Sequence, residues 1–315
     1  MNFKQTFLED VKTGLSSNPK SLPSKYFYDK RGDELFQQIM ALEEYYLTRA
    51  EYEIFQLQKQ KILDVFYKNQ DEFRLVEFGA GDGYKTKVLL EHFIEKKIAF
   101  EYKPIDISQN ALDKLIVDLN GNIPKLQLSA EQGDYFQVLS KLPRLNHKRN
   151  IILFLGSNIG NFTLDEIEGF LKGIRAKVYK DDLLFLGIDL KKDPDKILKA
   201  YDDEKGVTKA FNLNLLARVN AELGGDFDLN GFDHCPSYNP VNGECISTLV
   251  SNKNQTVTIS GASFVLNKWE SIQTEISRKF SLEQIADLAT KCGFEIEENL
   301  LDSNAYFVDS IWKAV

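Results

Sequence analysis

The chain has 315 residues, of which 43% are hydrophobic and 27% charged, and its formal net charge is -8. This length and composition predict a globular protein with one large domain or two interleaved ones. The acidic balance and the absence of a dense Lys/Arg cluster argue against nucleic acid as a substrate, and no apolar run is long enough to span a bilayer. Three scattered cysteines and an N-terminus without a signal-peptide core predict reduced thiols and a cytoplasmic location.

The hydrophobic pattern changes twice along the chain. The first 60 or so residues have helical patterns such as DELFQQIMALEEYY, and strand-like and helical segments then alternate from RLVEFGAG to DLLFLGIDL. This alternation predicts a parallel sheet covered by helices on both faces. After residue 195, a helical stretch ends at a glycine pair, and ECISTLVS, QTVTISGASFVL and QTEISRKF read as antiparallel strands. The C-terminal stretch from SLEQIADLATKCGF returns to a helix followed by strands.

These changes predict an α/β core that is interrupted by an insertion. We assign residues 61–195 and 281–315 to the core, and residues 1–60 and 196–280 to a second α+β lobe. The three histidines are not spaced as metal ligands, so no metal site is predicted.

The glycine-rich stretch LVEFGAGDGYKT is the strongest local signal. It joins a strand to a helix through Gly79, Gly81 and Gly83, and glycines there let a ligand approach the backbone closely. The spacing differs from the G-x-G-x-x-G of dinucleotide sites. It suits the nucleoside and amino-acid portions of S-adenosylmethionine better than a pyrophosphate, although a tight strand–helix turn without a ligand is the alternative.

Acidic residues at the ends of successive predicted strands favour a cofactor site. Asp106 ends YKPIDIS and can accept hydrogen bonds from ribose hydroxyls. In the following GDY, Asp134 can accept from an adenine amino group and Tyr135 can pack near the ring. With Glu77, these carboxylates are expected at one edge of the sheet.

The next predicted strand ends in LFLGSNIGNF, which puts Gly156 and Asn161 at the same edge. Ligands bind at the carboxyl edge of open α/β sheets, and in amine methyltransferases this is where the acceptor meets the methyl group. Asn161 alternatively caps the next helix.

Strict alternation in the strand QTEISRKF predicts two faces. One face carries Ile272, Thr274 and Ile276, and the other carries Gln273, Glu275, Ser277 and Lys279. The polar face either meets solvent or brings Glu275 and Ser277 together into a pocket.

Four longer motifs resemble the L-histidine Nα-methyltransferase family. They are SLPSKYFYDKRGDELFQQIMALEEYYLTRAE, LFLGSNIGNF, KAYDDEKGVTKAFNLN and FDLNGF, in this order. The resemblance runs from about residue 20 to the C-terminus. It implies a class I methyltransferase with a Rossmann-like seven-stranded sheet and a substrate-binding lobe. It also implies transfer of methyl groups from S-adenosylmethionine to the α-amino group of free histidine, up to the trimethylated betaine hercynine, in ergothioneine biosynthesis.

The resemblance also implies two sets of site residues. Cofactor contacts fall on Tyr28, Gly79, Gly81, Lys85, Asp106, Asp134 and Tyr135. Substrate contacts fall on Tyr45, Gly156, Asn161, Tyr201, Glu275 and Ser277. In this reading Glu275 accepts a ring N–H of histidine and Ser277 binds the other ring nitrogen, while Asn161 and Tyr201 hold the substrate carboxylate.

One position departs from the family pattern. Ser247 of ECISTLVS stands where relatives often carry Met beside the imidazole, and a smaller polar residue widens the pocket or admits a water. Methylation of another small amino acid or amine, such as tryptophan or tyrosine, is therefore the alternative function. A non-catalytic regulator that binds S-adenosylmethionine is a more remote alternative. We expect a monomer that acts on a small molecule, and the sequence identifies no general base.

Overall fold

The computed structural model describes residues 3–68, 72–106, 108–133, 135–141 and 148–315. Its helices are α1 (Phe3–Ser16), α2 (Lys30–Met40), α3 (Leu47–Phe66), α4 (Thr86–Glu95), α5 (Gln109–Asn122), α6 (Tyr135–Lys141), α7 (Leu164–Arg175), α8 (Pro194–Tyr201), α9 (Val207–Leu223) and α10 (Leu282–Lys291). Its strands are β1 (Lys20–Ser21), β2 (Phe73–Phe78), β3 (Phe100–Asp106), β4 (Gln127–Leu128), β5 (Glu131–Gln132), β6 (Arg149–Phe154), β7 (Leu183–Asp189), β8 (Phe232–Asn239), β9 (Glu244–Ser251), β10 (Gln255–Ile259), β11 (Ala262–Leu266), β12 (Ser271–Arg278), β13 (Phe294–Leu301) and β14 (Phe307–Ala314). Within these ranges, no helix has the length and apolar character needed to cross a membrane.

The structure divides the chain into two compact units. The first unit comprises Met1–Tyr46 and Lys192–Arg278, and the second comprises Leu47–Lys191 and Lys279–Val315. Helix α3 therefore lies in the second unit, whereas the sequence prediction placed residues up to 60 in the lobe. The helical periodicity of α3 identifies its apolar face but not the sheet that this face meets. Phe55 of α3 stacks on Phe185 of β7 at 5.7 Å between ring centroids.

The second unit is built on one mixed sheet. Its strand order is β13-β14-β7-β6-β2-β3-β4, and the short β5 also pairs with β3. Strands β4, β3, β2, β6 and β7 are parallel, whereas β14 is antiparallel to both β7 and β13. Because β4 and β5 share one edge, the described sheet has seven strand positions. This confirms the expected α/β class I methyltransferase fold.

Burial along the central strands explains why these sequences form parallel strands. Every residue of β2 and of β7 is buried, as expected for strands covered on both faces. The loop that follows β2 leaves the sheet at its carboxyl edge and contains the predicted cofactor residues Gly79, Gly81 and Lys85. Asp106 ends the neighbouring β3, and the segment after β6 contains the predicted substrate residues Gly156 and Asn161. Helix α10 begins with a capping box in which Ser281 and Gln284 each bind the other's backbone N–H.

The first unit is built on a smaller sheet with the order β1-β12-β9-β8. Strands β12, β9 and β8 are antiparallel, as predicted, and β1 joins β12 in parallel. Helices α8 and α9 pack on this sheet, and β10 and β11 form a separate hairpin. Helix α9 ends at Gly224, which adopts the left-handed conformation typical of a helix end, with φ of 65°.

A β-bulge in β12 makes the predicted alternation of that strand wrong. The register with β9 shifts between Gln273 and Glu275, so Thr274 is the additional residue. As a result, Ile276 pairs with the half-buried Ile246, whereas Ile272 pairs with the fully buried Leu249. Ile272 and Ile276 therefore do not share a face. Bulges of this kind change the direction in which side chains project and are frequent near functional sites.

Candidate active site

The glycine-rich loop after β2 has the backbone conformation that a close ligand contact needs. Gly79, Gly81 and Gly83 have φ angles of 65°, 55° and 63°, which side chains other than glycine rarely tolerate. The Gly79 N–H donates to the Ile105 carbonyl at 2.8 Å, which ties the loop to β3. A Cβ atom added at Gly81 would meet no atom within 4 Å. The loop therefore leaves space for a ligand beside the backbone of Gly81, and the bond from Gly79 to Ile105 fixes the start of the loop.

Glu77, in the strand before this loop, connects the elements on both sides of it through hydrogen bonds. The residue lies within β2 and is buried, and its carboxylate accepts hydrogen bonds from Thr86 Oγ1 at 2.7 Å and from the Tyr102 hydroxyl at 2.5 Å. Strand β2 ends one residue after Glu77, and both oxygens of this carboxylate hold neighbouring elements together. Burial raises the pKa of Glu77 to about 7, against the lowering effect of the two hydroxyl donors and of Lys85.

The raised pKa of Glu77 predicts a pH-dependent stability. Because the unfolded carboxyl ionises near pH 4.5 and the folded one near 7, Glu77 costs the folded state increasing free energy as pH rises between these values. The free energy of unfolding of Glu77→Gln relative to the wild type should therefore rise by about 3 kcal/mol over that interval and then level off. Urea denaturation of both proteins at pH 5, 6, 7 and 8 measures this difference. A difference that stays constant with pH would contradict a buried, proton-binding Glu77.

Asp106 and Tyr135 both lie near Gly79 of the glycine-rich loop in the second unit. Asp106 is the last residue of β3, and its Oδ1 accepts the Ser108 N–H at 2.9 Å, which orients the carboxylate. Tyr135 stacks on Phe78 with ring centroids 4.5 Å apart and an interplanar angle of 3°. Its hydroxyl oxygen lies 3.0 Å from the position that a Cβ on Gly79 would take. The predicted Asp134 lies outside the described residues.

Lys85 and Gly156 meet at the carboxyl edge of the same sheet. A Cβ on Gly156 would lie 3.6 Å from Lys85 Nζ, and Gly156 itself has a φ of 74°. Lys85 forms an ion pair with the fully buried Glu51 of α3. The Gly156 N–H donates to Glu51 Oε1 at 2.8 Å. The structure therefore brings a predicted cofactor residue and a predicted substrate residue onto one carboxylate.

Asn161 closes the short 3-10 helix Asn158–Asn161 after β6. The N-cap of the following α7 is Thr163, which forms a capping box with Glu166. The alternative interpretation of Asn161 as the cap of that helix is therefore wrong. Its assignment to the substrate stays a prediction.

The second unit fits S-adenosylmethionine in the chemistry of its groups. A carboxylate at the end of β3 suits a ribose diol, an aromatic ring lies beside the loop, and a lysine ammonium suits the carboxylate of an amino acid. The open backbone at Gly81 lets the cofactor approach the loop. Cofactor contacts at Gly79, Gly81, Lys85, Asp106 and Tyr135 stay proposals that this arrangement supports.

Tyr28 lies in the first unit, whereas the other described residues that are predicted to contact the cofactor belong to the second. Its ring packs edge-on against Phe36 with centroids 5.7 Å apart, and 45% of its surface is exposed. Loss of water around the hydroxyl, together with the negative charges of Glu275 and Asp33, raises the pKa of Tyr28. Within the first unit, Tyr28 therefore shares an electrostatic environment with the predicted substrate residue Glu275.

Four predicted substrate residues lie in the first unit. The Tyr201 hydroxyl of α8 and Ser277 Oγ of β12 form a hydrogen bond of 2.7 Å. The rings of Tyr45 and Tyr201 meet edge-on with centroids 6.5 Å apart. Glu275 precedes Ser277 by two residues on β12 and pairs with Ser247 of β9. Ser247 is 1% exposed, and its Oγ has no hydrogen-bond partner among the described residues.

Sequence analysis missed Glu51, which holds both Lys85 and Gly156. A signal was present, because the buried residues of α3 include Leu47, Ala50, Ile54 and Phe55 and Glu51 falls on this apolar face. A carboxylate in that position has to be paired inside the protein. The partners, however, are far away in sequence and become visible only in the structure.

Comparison with known proteins identifies the family. A model described as "Histidine-specific methyltransferase, SAM-dependent" matches residues 7–314. The histidine N-alpha-methyltransferase of Mycolicibacterium smegmatis is 36% identical over 89% of this chain and 86% of that protein. Ergothioneine biosynthesis protein 1 of Schizosaccharomyces pombe is 28% identical over 93% of this chain and 39% of that protein. The 4-dimethylallyltryptophan N-methyltransferase easF of Arthroderma benhamiae is 26% identical over 92% of this chain and 88% of that protein.

The family match covers nearly the whole chain, including both units of the structure. The relative from Mycolicibacterium smegmatis also covers most of its length at an identity above 30%. The sheet order and the glycine-rich loop of the second unit agree with a methyltransferase that uses S-adenosylmethionine. The chain therefore belongs to the family of histidine-specific, S-adenosylmethionine-dependent methyltransferases.

Proposed function

We propose that this enzyme transfers methyl groups to the α-amino nitrogen of free L-histidine until the trimethylated betaine hercynine is formed. The observation that carries the proposal is the pairing of Ser277 with Tyr201 beside Glu275 in the first unit. The histidine N-alpha-methyltransferase and the ergothioneine biosynthesis protein among the relatives support the same substrate.

The ring of histidine is bound in this proposal by Glu275 and Ser277. A carboxylate accepts the N–H of one ring nitrogen, and the serine hydroxyl binds the other. Tyr201 fixes the orientation of the Ser277 hydroxyl through their mutual hydrogen bond. The two side chains lie in successive rows of one sheet face, opposite Ser247 and Cys245, which supports their acting on one ring.

The chain contributes binding and alignment to the reaction. S-adenosylmethionine, when bound, supplies an electrophilic methyl group on a positively charged sulfur. The substrate residues have to hold the neutral amine in line with that methyl group, because a protonated amine has no lone pair for attack. In this proposal Tyr201 binds the substrate carboxylate and leaves the amine able to react. Water carries the released proton away, and no side chain is assigned as a general base.

Repeated methylation makes the amine a permanent cation. Aromatic faces attract such cations, and Tyr28, Phe36 and Tyr45 form an edge-to-face series in the first unit, with centroid distances of 5.7 and 6.2 Å. This series supports binding of the growing trimethylammonium group. Phe36 also packs on Phe211, so its role in the core of the unit is independent of the substrate.

The site of methylation is tested with isotopically labelled methyl groups. Histidine is incubated with the enzyme and methyl-labelled S-adenosylmethionine, and the product is examined by NMR. We expect three equivalent methyl groups coupled to the α-carbon and unlabelled ring nitrogens. Label on an imidazole nitrogen would contradict the proposed orientation of the substrate.

A second candidate is methylation of a larger aromatic amino acid. The buried and unpartnered hydroxyl of Ser247, opposite Glu275, favours it because a small polar side chain leaves room beside the ring. The relative named for 4-dimethylallyltryptophan supports the idea that this family accommodates larger rings. Turnover of tryptophan or tyrosine in the absence of histidine turnover would favour this candidate.

We further propose that the enzyme acts in the cytoplasm as a monomer on a small-molecule substrate, without nucleic acid. The net charge of -8 opposes binding to a polyanion. The three cysteines are all free thiols, in keeping with a reducing compartment. Sedimentation velocity tests the monomer directly.

A further inference from the structure

Two carboxyl groups are fully buried in the second unit beside the predicted cofactor residues. Glu51 lies in the second turn of α3 and Asp309 lies in β14, and both are 0% exposed. Removing a carboxylate from water is costly unless it gains strong partners. Such a pair at the carboxyl edge of the sheet therefore needs a reason in the function or the folding of the unit.

Glu51 is the common partner of two loops. It forms an ion pair with Lys85, which follows the glycine-rich loop, and its Oε1 accepts the Gly156 N–H at 2.8 Å. The first loop follows β2 and the second follows β6, and these strands are neighbours in the sheet. One carboxylate therefore fixes the distance between a cationic side chain and a backbone donor on two separate loops.

Strand β7 leaves room for the Glu51 carboxylate at Gly187. A Cβ on Gly187 of β7 would lie 2.1 Å from Glu51 Oε1 and 3.1 Å from the Gly156 nitrogen. Any larger residue at position 187 would displace Glu51, so glycine is required for the close approach. Gly187 pairs with Asp309 across β7 and β14, which explains why the second carboxyl lies against Glu51.

Asp309 lies against Glu51 in a setting that favours its protonated form. Burial and the negative charge of Glu51 raise the pKa of Asp309 well above its usual range. Its carboxyl oxygens have no hydrogen-bond partner among the described residues. With Asp309 neutral, the charge of Glu51 is balanced by the Lys85 ammonium. The ammonium is thereby held in one orientation before a ligand arrives.

We propose that Glu51 is a positioning residue that prepares Lys85 for the amino-acid end of S-adenosylmethionine, while the hydrogen bond from the Gly156 N–H to Glu51 holds the neighbouring loop in place. The inference rests on S-adenosylmethionine as the cofactor and is independent of which amine is methylated. Lys85, with 21% of its side chain exposed, binds the carboxylate of the cofactor, and Glu51 keeps the lysine from adopting other rotamers. Asp309 and Gly187 keep Glu51 in place.

The proposal is tested by binding of two ligands that differ only in the amino-acid end. S-adenosylhomocysteine has this end, whereas 5′-methylthioadenosine lacks its carboxylate and amine. Binding is measured by titration calorimetry without an amine substrate. Glu51→Gln should raise the Kd of S-adenosylhomocysteine at least about tenfold and change the Kd of methylthioadenosine by less than about twofold. Lys85→Met should have the same selectivity, and the double variant should be no worse than Lys85→Met alone.

Two results of these titrations would contradict the proposal. Equal weakening of both ligands would overturn the proposal, because it would indicate general damage to the unit. Unchanged or tighter binding of S-adenosylhomocysteine would also overturn it. Glu298→Gln, which breaks a partly exposed ion pair between β13 and Lys61 of α3, is the matched control and should affect neither ligand. If Glu51→Gln does not fold, Glu51→Asp keeps the charge but is one methylene shorter, and it should show the same selective loss.

Discussion

Replacement of Glu275 by alanine should lower kcat/KM for histidine by about 100-fold or more and leave the Kd of S-adenosylmethionine within about twofold. The expected loss follows from the proposed hydrogen bond between this carboxylate and the ring, since hydrogen bonds to charged groups contribute more than neutral ones. Glu275 lies beside Ser277 and opposite Ser247 on the sheet of the first unit. Steady-state kinetics and calorimetry on one preparation measure the two effects together.

Two further variants make the Glu275 experiment specific. Glu275→Gln keeps the shape and one acceptor but loses the charge, so its loss should lie between those of the wild type and Glu275→Ala. Glu270→Gln, which breaks a partly exposed ion pair with Lys20 in the same unit, should keep normal turnover. If cofactor binding falls together with histidine turnover in Glu275→Ala, the assignment of Glu275 to the substrate ring is wrong.

Replacement of Asp106 by alanine should weaken cofactor binding and leave the KM for histidine nearly unchanged. We expect the Kd of S-adenosylmethionine to rise by about 100-fold, because one carboxylate would lose hydrogen bonds to two ribose hydroxyls. The carboxylate stands at the end of β3, and the Ser108 N–H already orients it. At saturating cofactor, KM for histidine should stay near that of the wild type.

The ribose contact can be isolated with a modified ligand. The 2′-deoxy analogue of S-adenosylhomocysteine lacks one of the two hydroxyls. Asp106→Ala should therefore weaken binding of this analogue less than it weakens binding of S-adenosylhomocysteine. Asp113→Asn, at an exposed position of α5, serves as the control. Equal losses for both ligands would place Asp106 outside the ribose site.

The core was predictable because its signal is local and repeated. Central strands such as β2 and β7 are buried on both faces and read as continuous apolar runs, and amphipathic helices separate them. Strand β8 was missed because FDHCPSYN contains Pro236 and no β-branched residue. The structure explains how this proline is tolerated, since within the described ranges β8 is an edge strand that pairs only with β9.

The site was predictable where the motif itself contains the chemistry. The glycine-rich loop and Asp106 are recognisable from their position after a strand, and their geometry in the second unit follows from parallel strand order. The bulge at Thr274 and the burial of Glu51 were not predictable in this way, because each depends on a partner strand or loop far away in sequence. The same holds for Glu77, whose two hydroxyl partners show that its carboxylate is structural.

The most direct test of the proposed function is the mass of the product formed from a panel of free amino acids. Purified enzyme is incubated with S-adenosylmethionine and each amino acid, and kcat/KM is measured for every acceptor that gains mass. The account predicts histidine as the preferred acceptor, with mono-, di- and trimethylated species appearing in sequence and the trimethylated product accumulating. Preferred methylation of tryptophan, tyrosine or another amine, with histidine left unmodified, would contradict it.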